Sequence, residues 1–478
     1  MKIKTTTAIL AILFTGAANA APSFVNGLTF SGGALDLSGG TTANDGRVGY
    51  FSDIYYDRNR NEWWGLSDRG PGGGTVSYDT RVQRFSLDVN PTTGFISNFQ
   101  VTQTVKFSKG GSPMNGLAPT PSNMLGNSLD PEGFVINPKN GNFIVSDEYG
   151  PSLYEFNRSG QVVKTYAVSA NLVPKVGLAT DYAATPPTLT AGREPNRGLE
   201  GLAISPDGNY AYAVLQNGTV TDGWTASARG AYTRIVKFDT GTGEAVGQYA
   251  YKLESTGQGR GISALVALGD DKFLVLERNN RGIGIGATLG SPDKNVFKID
   301  LAGATDVTSI NLPASGSLPP GFAAVAKDTT KFLDLDANTL AALGNKSPEK
   351  WEGLAIGPKL NDGTYMILAG TDNDYSVTQN GSNVQFDVYL RFTDTDPYAS
   401  SIQCPLGTTT DCFNTTGGGA ATLDSQYQLL PGVLHSYKAS AADLAGYTAP
   451  IPEPETFAML LAGLGLIGFA ARRRKAGA

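Results

Sequence analysis

The chain has 478 residues, with 37 Lys and Arg against 43 Asp and Glu and a formal net charge of −6; 40% of residues are hydrophobic and 17% charged. That apolar content suffices for a packed core, whereas one histidine and two cysteines exclude a His-rich metal centre, a zinc cluster and an iron–sulfur site on ligand count. A Ser-His-Asp hydrolase would rest on His435 alone, with no Gly-x-Ser-x-Gly elbow to serve it, and the acidic balance argues against nucleic acid.

Residues 1–20 read as a secretory signal peptide. Lys2 and Lys4 precede a short apolar run, Ala8 to Phe14, and Ala18-Asn19-Ala20 forms a small-x-small cleavage site before Ala21. The run is too short to span a membrane. Residues 21–450 are expected to form the folded body. Within it five segments share one plan: 51–70, 130–150, 199–218, 262–282 and 351–374. Each has a small or acidic pair, alternating apolar residues, a turn rich in Pro, Asn, Asp or Gly, and a second apolar run ending in charged or amide residues. Further strands, such as Leu153 to Phe156, Arg234 to Phe238 and Val296 to Ile299, follow several of them. Helical periodicity is confined to a turn or two around Lys331 to Leu343. Long shared periods of this kind predict an all-β fold, a β-propeller of five to seven blades, six favoured because the two chain ends can close one more. A leader implies an oxidising compartment, so Cys404 and Cys412 are expected to pair and staple a surface loop.

The last segment, residues 451–478, places Pro452-Glu453-Pro454 before an apolar run, Thr456 to Ala471, and the basic cluster Arg472 to Lys475. By itself this reads as a short C-terminal transmembrane helix held by its basic end. The layout resembles the PEP-CTERM sorting signal, which implies recognition by an exosortase, a Gram-negative bacterium and a destination at the cell surface or beyond.

In a propeller the same position of every repeat converges on the central channel. Here those positions hold Glu132, Glu200 and Glu352, with Asp53 and Ser263 at the matching places. Strand ends add Asp68-Arg69, Asp147-Glu148, Gln216-Asn217, Glu277-Arg278 and Asp372-Asn373-Asp374. Converging carboxylates either raise one another's pKa or hold a cation, and oxygen donors without histidine favour Ca²⁺ or Mg²⁺. The competing reading is that Glu-Gly is a backbone device and that each arginine, including Arg69, Arg193, Arg197, Arg260, Arg278 and Arg281, neutralises a nearby acid. His435 reads as a surface or closing-strand residue, and Asp334 to Asn338 lacks the glycine and distal Glu of a calcium loop.

The blocks Leu66 to Pro71, Asp130 to Phe134, Ser146 to Glu148, Pro195 to Ala203, Ile262-Ser263 and Phe273 to Arg278 resemble the phytase-like family of secreted bacterial proteins over about residues 45–375. The resemblance implies a propeller with chemistry similar to calcium-dependent phytases: a Ca²⁺-dependent phosphoric ester hydrolase. Metal ligands would be Glu132, Asp147, Glu148, Glu200 and Glu352; catalytic groups would be Glu132, Glu200, Glu277, Arg69, Arg197 and Arg278. One departure is Gln216-Asn217, where the family more often carries an acid. Two other functions fit the same sequence. One is a non-catalytic propeller binding matrix polysaccharide or protein, with Trp63, Trp64, Trp224 and Trp351 as candidate stacking surfaces; the other is a lactonase-type or other esterase.

Overall fold

A computed structural model describes residues 21–40, 45–223, 230–286 and 288–447. The expected leader at 1–20, Trp224 and the C-terminal segment expected to carry the sorting signal and membrane helix lie outside the described residues. Among the described residues the regular structure is strands and three 3₁₀ turns, and no helix is long and apolar enough to cross a membrane.

Five antiparallel sheets, four of four strands and one of five, follow one another around an axis. Blade one comprises Asp53–Asp57, Glu62–Leu66, Arg81–Val89 and Ile96–Lys106. Blade two comprises Pro131–Ile136, Phe143–Asp147, Ser152–Phe156 and Val162–Thr165, and blade three Leu199–Ile204, Tyr210–Leu215, Tyr232–Asp239 and Ala245–Lys252. Blade four begins with Gly261–Ala267, Lys272–Arg278 and Lys294–Asp300, edged by Ala326–Lys327. Blade five comprises Trp351–Lys359, Tyr365–Thr371, Gly432–Ala439 and, outermost, Ser23–Phe30. The first-named, inner strands pack against one another in a closed cycle.

The second strands are buried along almost their whole length, as their continuous apolar runs require. A separate hydrophobic core fills each of the five blade junctions. Trp64 with Phe134, Val135 with Leu202, Tyr212 with Leu265, Leu276 with Trp351 and Ile54 with Met366 each mark one of them. The favoured count of six is therefore corrected to a ring of five. The two chain ends do not add a blade; Ser23–Phe30 and Gly432–Ala439 pair with each other to complete the fifth.

A sixth sheet, Val377–Gln379, Gln385–Leu390, Ile402–Pro405 and Phe413–Asn414 with Gln428–Leu429, is inserted between the second and third strands of blade five and stands outside the ring. It is moored by a bidentate, buried ion pair from Arg47 to Asp387, at 2.5 and 3.0 Å. Cys404 and Cys412 are joined by a disulfide across its hairpin. Closing so short a loop contributes about 2–3 kcal/mol. The expected helical turns around Lys331 to Leu343 are two 3₁₀ turns, Leu335–Ala337 and Ala341–Leu343.

His435 lies within blade five, 1% exposed, against Trp351 and Phe24 at 4.7 and 5.0 Å. Burial lowers its pKa to about 4, so the ring is neutral and acts as core. The surface alternative for this residue does not hold.

Candidate active site

The Glu-Gly pairs are β-bulges. Strand register slips between Pro131 and Phe134, Leu199 and Leu202, and Trp351 and Gly353, and at Ser263 between Ile262 and Ala264. A bulge re-aims one side chain, here the Glu, while the glycine lets the next inner strand approach. A Cβ on Gly133 would lie 2.4 Å from the Glu200 carbonyl oxygen, and one on Gly201 2.6 Å from the Ala264 backbone. The backbone device and the inward carboxylate are thus one feature. Asp53 at the matching place of blade one is a staple instead: its carboxylate accepts the Phe134 and Ile54 amides, both at 2.8 Å.

The inward carboxylates gather at the entry end of the inner strands and divide into groups. Asp130, Glu132 and Glu148 each offer an oxygen within 4.8 Å of the others, and all three are buried. Arg69 pairs with Asp130, reaches Glu148 at 3.7 Å, and donates its other terminal nitrogen to Asn196. Asp130 Oδ1 and Arg69 Nε are buried with no hydrogen-bond partner among the described residues. Glu132 is raised well above the usual carboxyl range by burial first, then by Glu200, Asp130, Glu148 and Glu352.

Glu200 stands beside this group, also raised by burial and then by Glu148 and Glu352; it accepts the side-chain amide of Gln216. The same amide's oxygen takes a hydrogen bond from Arg197, which also holds Asn217 Oδ1 at 2.9 Å. Gln216 therefore links Arg197 to Glu200. On the far side Glu352 is paired with Arg278, whose Nε donates to Ser263 Oγ at 2.8 Å. A second acidic group, Asp68, Asp372 and Asp374, also has oxygens within 4.8 Å of one another, and Lys350 bridges Asp372 and Asp374 at 2.7 and 2.6 Å. Here the chain turns left-handed over Asp374, Tyr375 and Ser376, with φ of 47°, 53° and 57°. Such backbone costs roughly 1–2 kcal/mol per residue. Tyr375, fully buried on Tyr78 at 5.2 Å, holds it in place.

Two expected members stand apart. The Asp147 carboxylate is spent on the backbone amides of Asp130, Tyr149 and Gly150 at 3.0–3.1 Å, so it shapes the turn that presents Glu148. Glu277 faces the junction of blades three and four, where it accepts from Tyr251, the Glu254 amide, Arg260 and Lys327. Its neighbour Arg278 points to the mouth, and adjacent strand residues take opposite faces. Asp130 and Lys350 are the members that sequence reasoning left unassigned. The signal for Asp130 was its place two residues before Glu132, on the same face of an extended segment.

Burial, as the largest cause, pushes the carboxyls of Asp68, Asp130 and Asp147 up to about 7. Carboxyls raised above their unfolded values contribute stability that is complete below about pH 4 and lost as pH rises through about 7. The metal-free protein is therefore expected to melt roughly 5–10 °C lower at pH 8 than at pH 5, with Ca²⁺ restoring the difference at pH 8. A flat or rising melting temperature across that interval would mean these carboxyls are neutralised internally.

The Phytase-like family, described as esterase-like activity of phytase, matches residues 46–375, more than half of the chain. The chain belongs to this family. Residues 450–475 match the PEP-CTERM protein-sorting motif, which implies export, surface sorting and recognition by an exosortase. An uncharacterized secreted protein of Arthroderma benhamiae is 26% identical over 411 residues, covering 67% of this chain and 79% of that one. Among solved structures, the Cps50 (Swd1) propeller domain of Myceliophteria thermophila aligns with 10% identity and a TM-score of 0.29, covering 81% of this chain and 82% of that one. Hydrazine synthase of Kuenenia stuttgartiensis aligns with 12% identity and a TM-score of 0.28, covering 71% and 80%. At these scores the propeller assignment of this family member stands on its own strand order and ring of inner strands.

Proposed function

We propose that this phytase-like protein hydrolyses phosphate esters at the carboxylate mouth of its channel, with Ca²⁺ as the metal. The observation that carries the reading is one ion pair, Arg69 with Asp130, in which an acceptor and a donor are both buried and both unspent among the described residues. An unspent carboxylate oxygen beside two further acids suits a hard cation, and an unspent guanidinium nitrogen suits a phosphate oxygen. Asp130, Glu132 and Glu148 would hold the ion. Bound there, Ca²⁺ supplies Lewis-acid polarisation of a phosphoryl oxygen and a water of lowered pKa. Arg69 would orient the phosphate, while Arg197 and Arg278, fixed by Gln216 and Glu352, supply positive charge across the mouth. No covalent nucleophile is needed, which agrees with a core histidine.

The matrix-binding alternative loses most of its stacking surface, since Trp63, Trp64 and Trp351 are 6%, 1% and 0% exposed. The test is phosphate release from phytate and from a simple phosphodiester by the exported part, Ala21 to Ile451, with Ca²⁺ and with chelator. Release that falls to background on chelation is expected. Absence of release under every condition, with Ca²⁺ only raising the melting temperature, would reduce the metal to a structural clip and favour the binding propeller.

A further inference from the structure

Beside the mouth, on the side of Glu352 and Arg278, a polar cleft of about 300 Å³ opens between blades four and five. Asn280, Ile285, Gly286, Thr288, Glu349 and Asp374 line it. Two of these join it to the mouth. Asp374 belongs to the acidic group with Asp68, the residue before Arg69, and Glu349 feels the charges of Arg278, Lys350 and Glu352. The Glu349 carboxylate occupies room that Gly284 leaves by having no side chain: a Cβ there would lie 2.2 Å from Oε2. This wall is braced from a loop of the inserted sheet, where the Tyr398 hydroxyl accepts the Gly284 amide at 2.6 Å and donates to the Gly282 carbonyl at 3.3 Å.

Glu349 is half-buried, and Asn280 and Thr288 are exposed. None of these three side chains has a hydrogen-bond partner among the described residues. The amide and the hydroxyl each donate and accept, the carboxylate accepts, and Ile285 offers one apolar face. Together they suit the hydroxyls and C–H face of a carbon ring. They do not suit a phosphate. The adjoining cations are already spent, Arg278 on Glu352 and Lys350 on Asp372 and Asp374. Burial, then Asp374, pushes the Glu349 carboxyl up to about 7, so a further anion here would meet like charge. A cleft of about 300 Å³ lies at the low end of small-molecule sites, roughly 300–1,000 Å³, and has room for one ring.

We infer that the cleft holds the alcohol half of the substrate, and that this half is a sugar or other cyclic polyol with free hydroxyls and a single phosphate. Glu349, Asn280 and Thr288 bind the hydroxyls while the phosphate lies at Arg69; the inference rests on the phosphoesterase reading of the mouth. A ring with every hydroxyl esterified, as in phytate, brings charge where the cleft offers partners for hydroxyls, and is the poorer substrate.

Glucose 6-phosphate and p-nitrophenyl phosphate, given to the full chain with Ca²⁺, separate the two halves, since the second has no hydroxyls for the cleft. Asn280→Ala and Thr288→Val, both at exposed positions, and Glu349→Gln test the contacts. Each is expected to raise KM for glucose 6-phosphate about five- to tenfold, and to cost that substrate about fivefold more in kcat/KM than p-nitrophenyl phosphate. The unaltered protein is expected to favour glucose 6-phosphate over phytate about tenfold in kcat/KM. Equal losses on the two phosphates, or none on either, would overturn the inference and leave the chemistry of the mouth standing. If neither is hydrolysed, the reading of the mouth fails, and saturation-transfer NMR with glucose 6-phosphate decides the cleft separately. Transfer to the sugar protons that Asn280→Ala weakens supports it; transfer that is absent, or unchanged in the variant, overturns it.

Discussion

Glu132→Gln is expected to lower calcium-dependent phosphate release at least 100-fold while raising the melting temperature of the metal-free protein. The two changes have one cause. Glu132 is buried among Glu200, Asp130, Glu148 and Glu352, with burial itself the largest contribution to its raised pKa. The isosteric amide stays neutral at every pH, so the metal-free state no longer carries the cost of ionising a carboxyl in that group. It also removes an ionic ligand, and mutational losses of a single group that stabilises the transition state run to about 10²–10³. Asp130→Asn should differ. It leaves the guanidinium of Arg69 with only the longer contact to Glu148 at 3.7 Å, so activity and melting temperature both fall. Phosphate release and thermal unfolding of the two variants, each without metal and with Ca²⁺, separate the roles. A Glu132→Gln protein that is less stable and fully active would show a carboxylate that only braces the ring.

Gly133→Val is expected to destabilise the body by about 3 kcal/mol, a fall of roughly 3–4 °C in melting temperature. The new Cβ meets the Glu200 carbonyl oxygen at 2.4 Å, the Leu202 Cβ at 2.6 Å and the Ser146 hydroxyl at 2.7 Å. That hydroxyl accepts the Gly133 amide and donates to the Glu200 carbonyl, at 2.7 and 2.9 Å, stitching blade two to blade three. The Glu200 carbonyl and the Leu202 Cβ cannot yield by rotating a side chain, so the inner strands must separate. Glu132 and Glu200 move with them, and the response to Ca²⁺ is lost as well. Gly269→Ala, where nothing lies within 4 Å of the added carbon, serves as the control. A normal melting temperature for Gly133→Val would show that the bulges are loose.

The inner and second strands of all five blades were readable from alternation, turn residues and the long period, because those features act locally. The blade count was not. The outer strands of blade five come from opposite chain ends, and the inserted sheet lies between its second and third strands, so no window of sequence contains that blade. At the site, Glu132, Glu200 and Glu352, which repeat position brought together, lie at or beside the mouth with the strand-end residues Glu148, Arg69 and Arg278 and with Arg197. Glu277 and Asp147 do not, and the period of two already holds part of the reason: Glu277 adjoins Arg278 and Asp147 adjoins Glu148, so one of each pair must turn away. Lys350 was unreadable for another reason. Its bridge to Asp372 and Asp374 spans a whole hairpin of blade five, a relation set by tertiary structure alone.

The pairing of Ser23 with Lys438 and of Phe30 with Gly432 also sets an order of events. Non-local pairing is slow because loop closure must come first, and here the partners lie at opposite ends of the body. The ring cannot close until the last body strand exists and has met the first. The ring therefore remains open until Gly432–Ala439 has been made, and its mouth forms only after that strand has arrived.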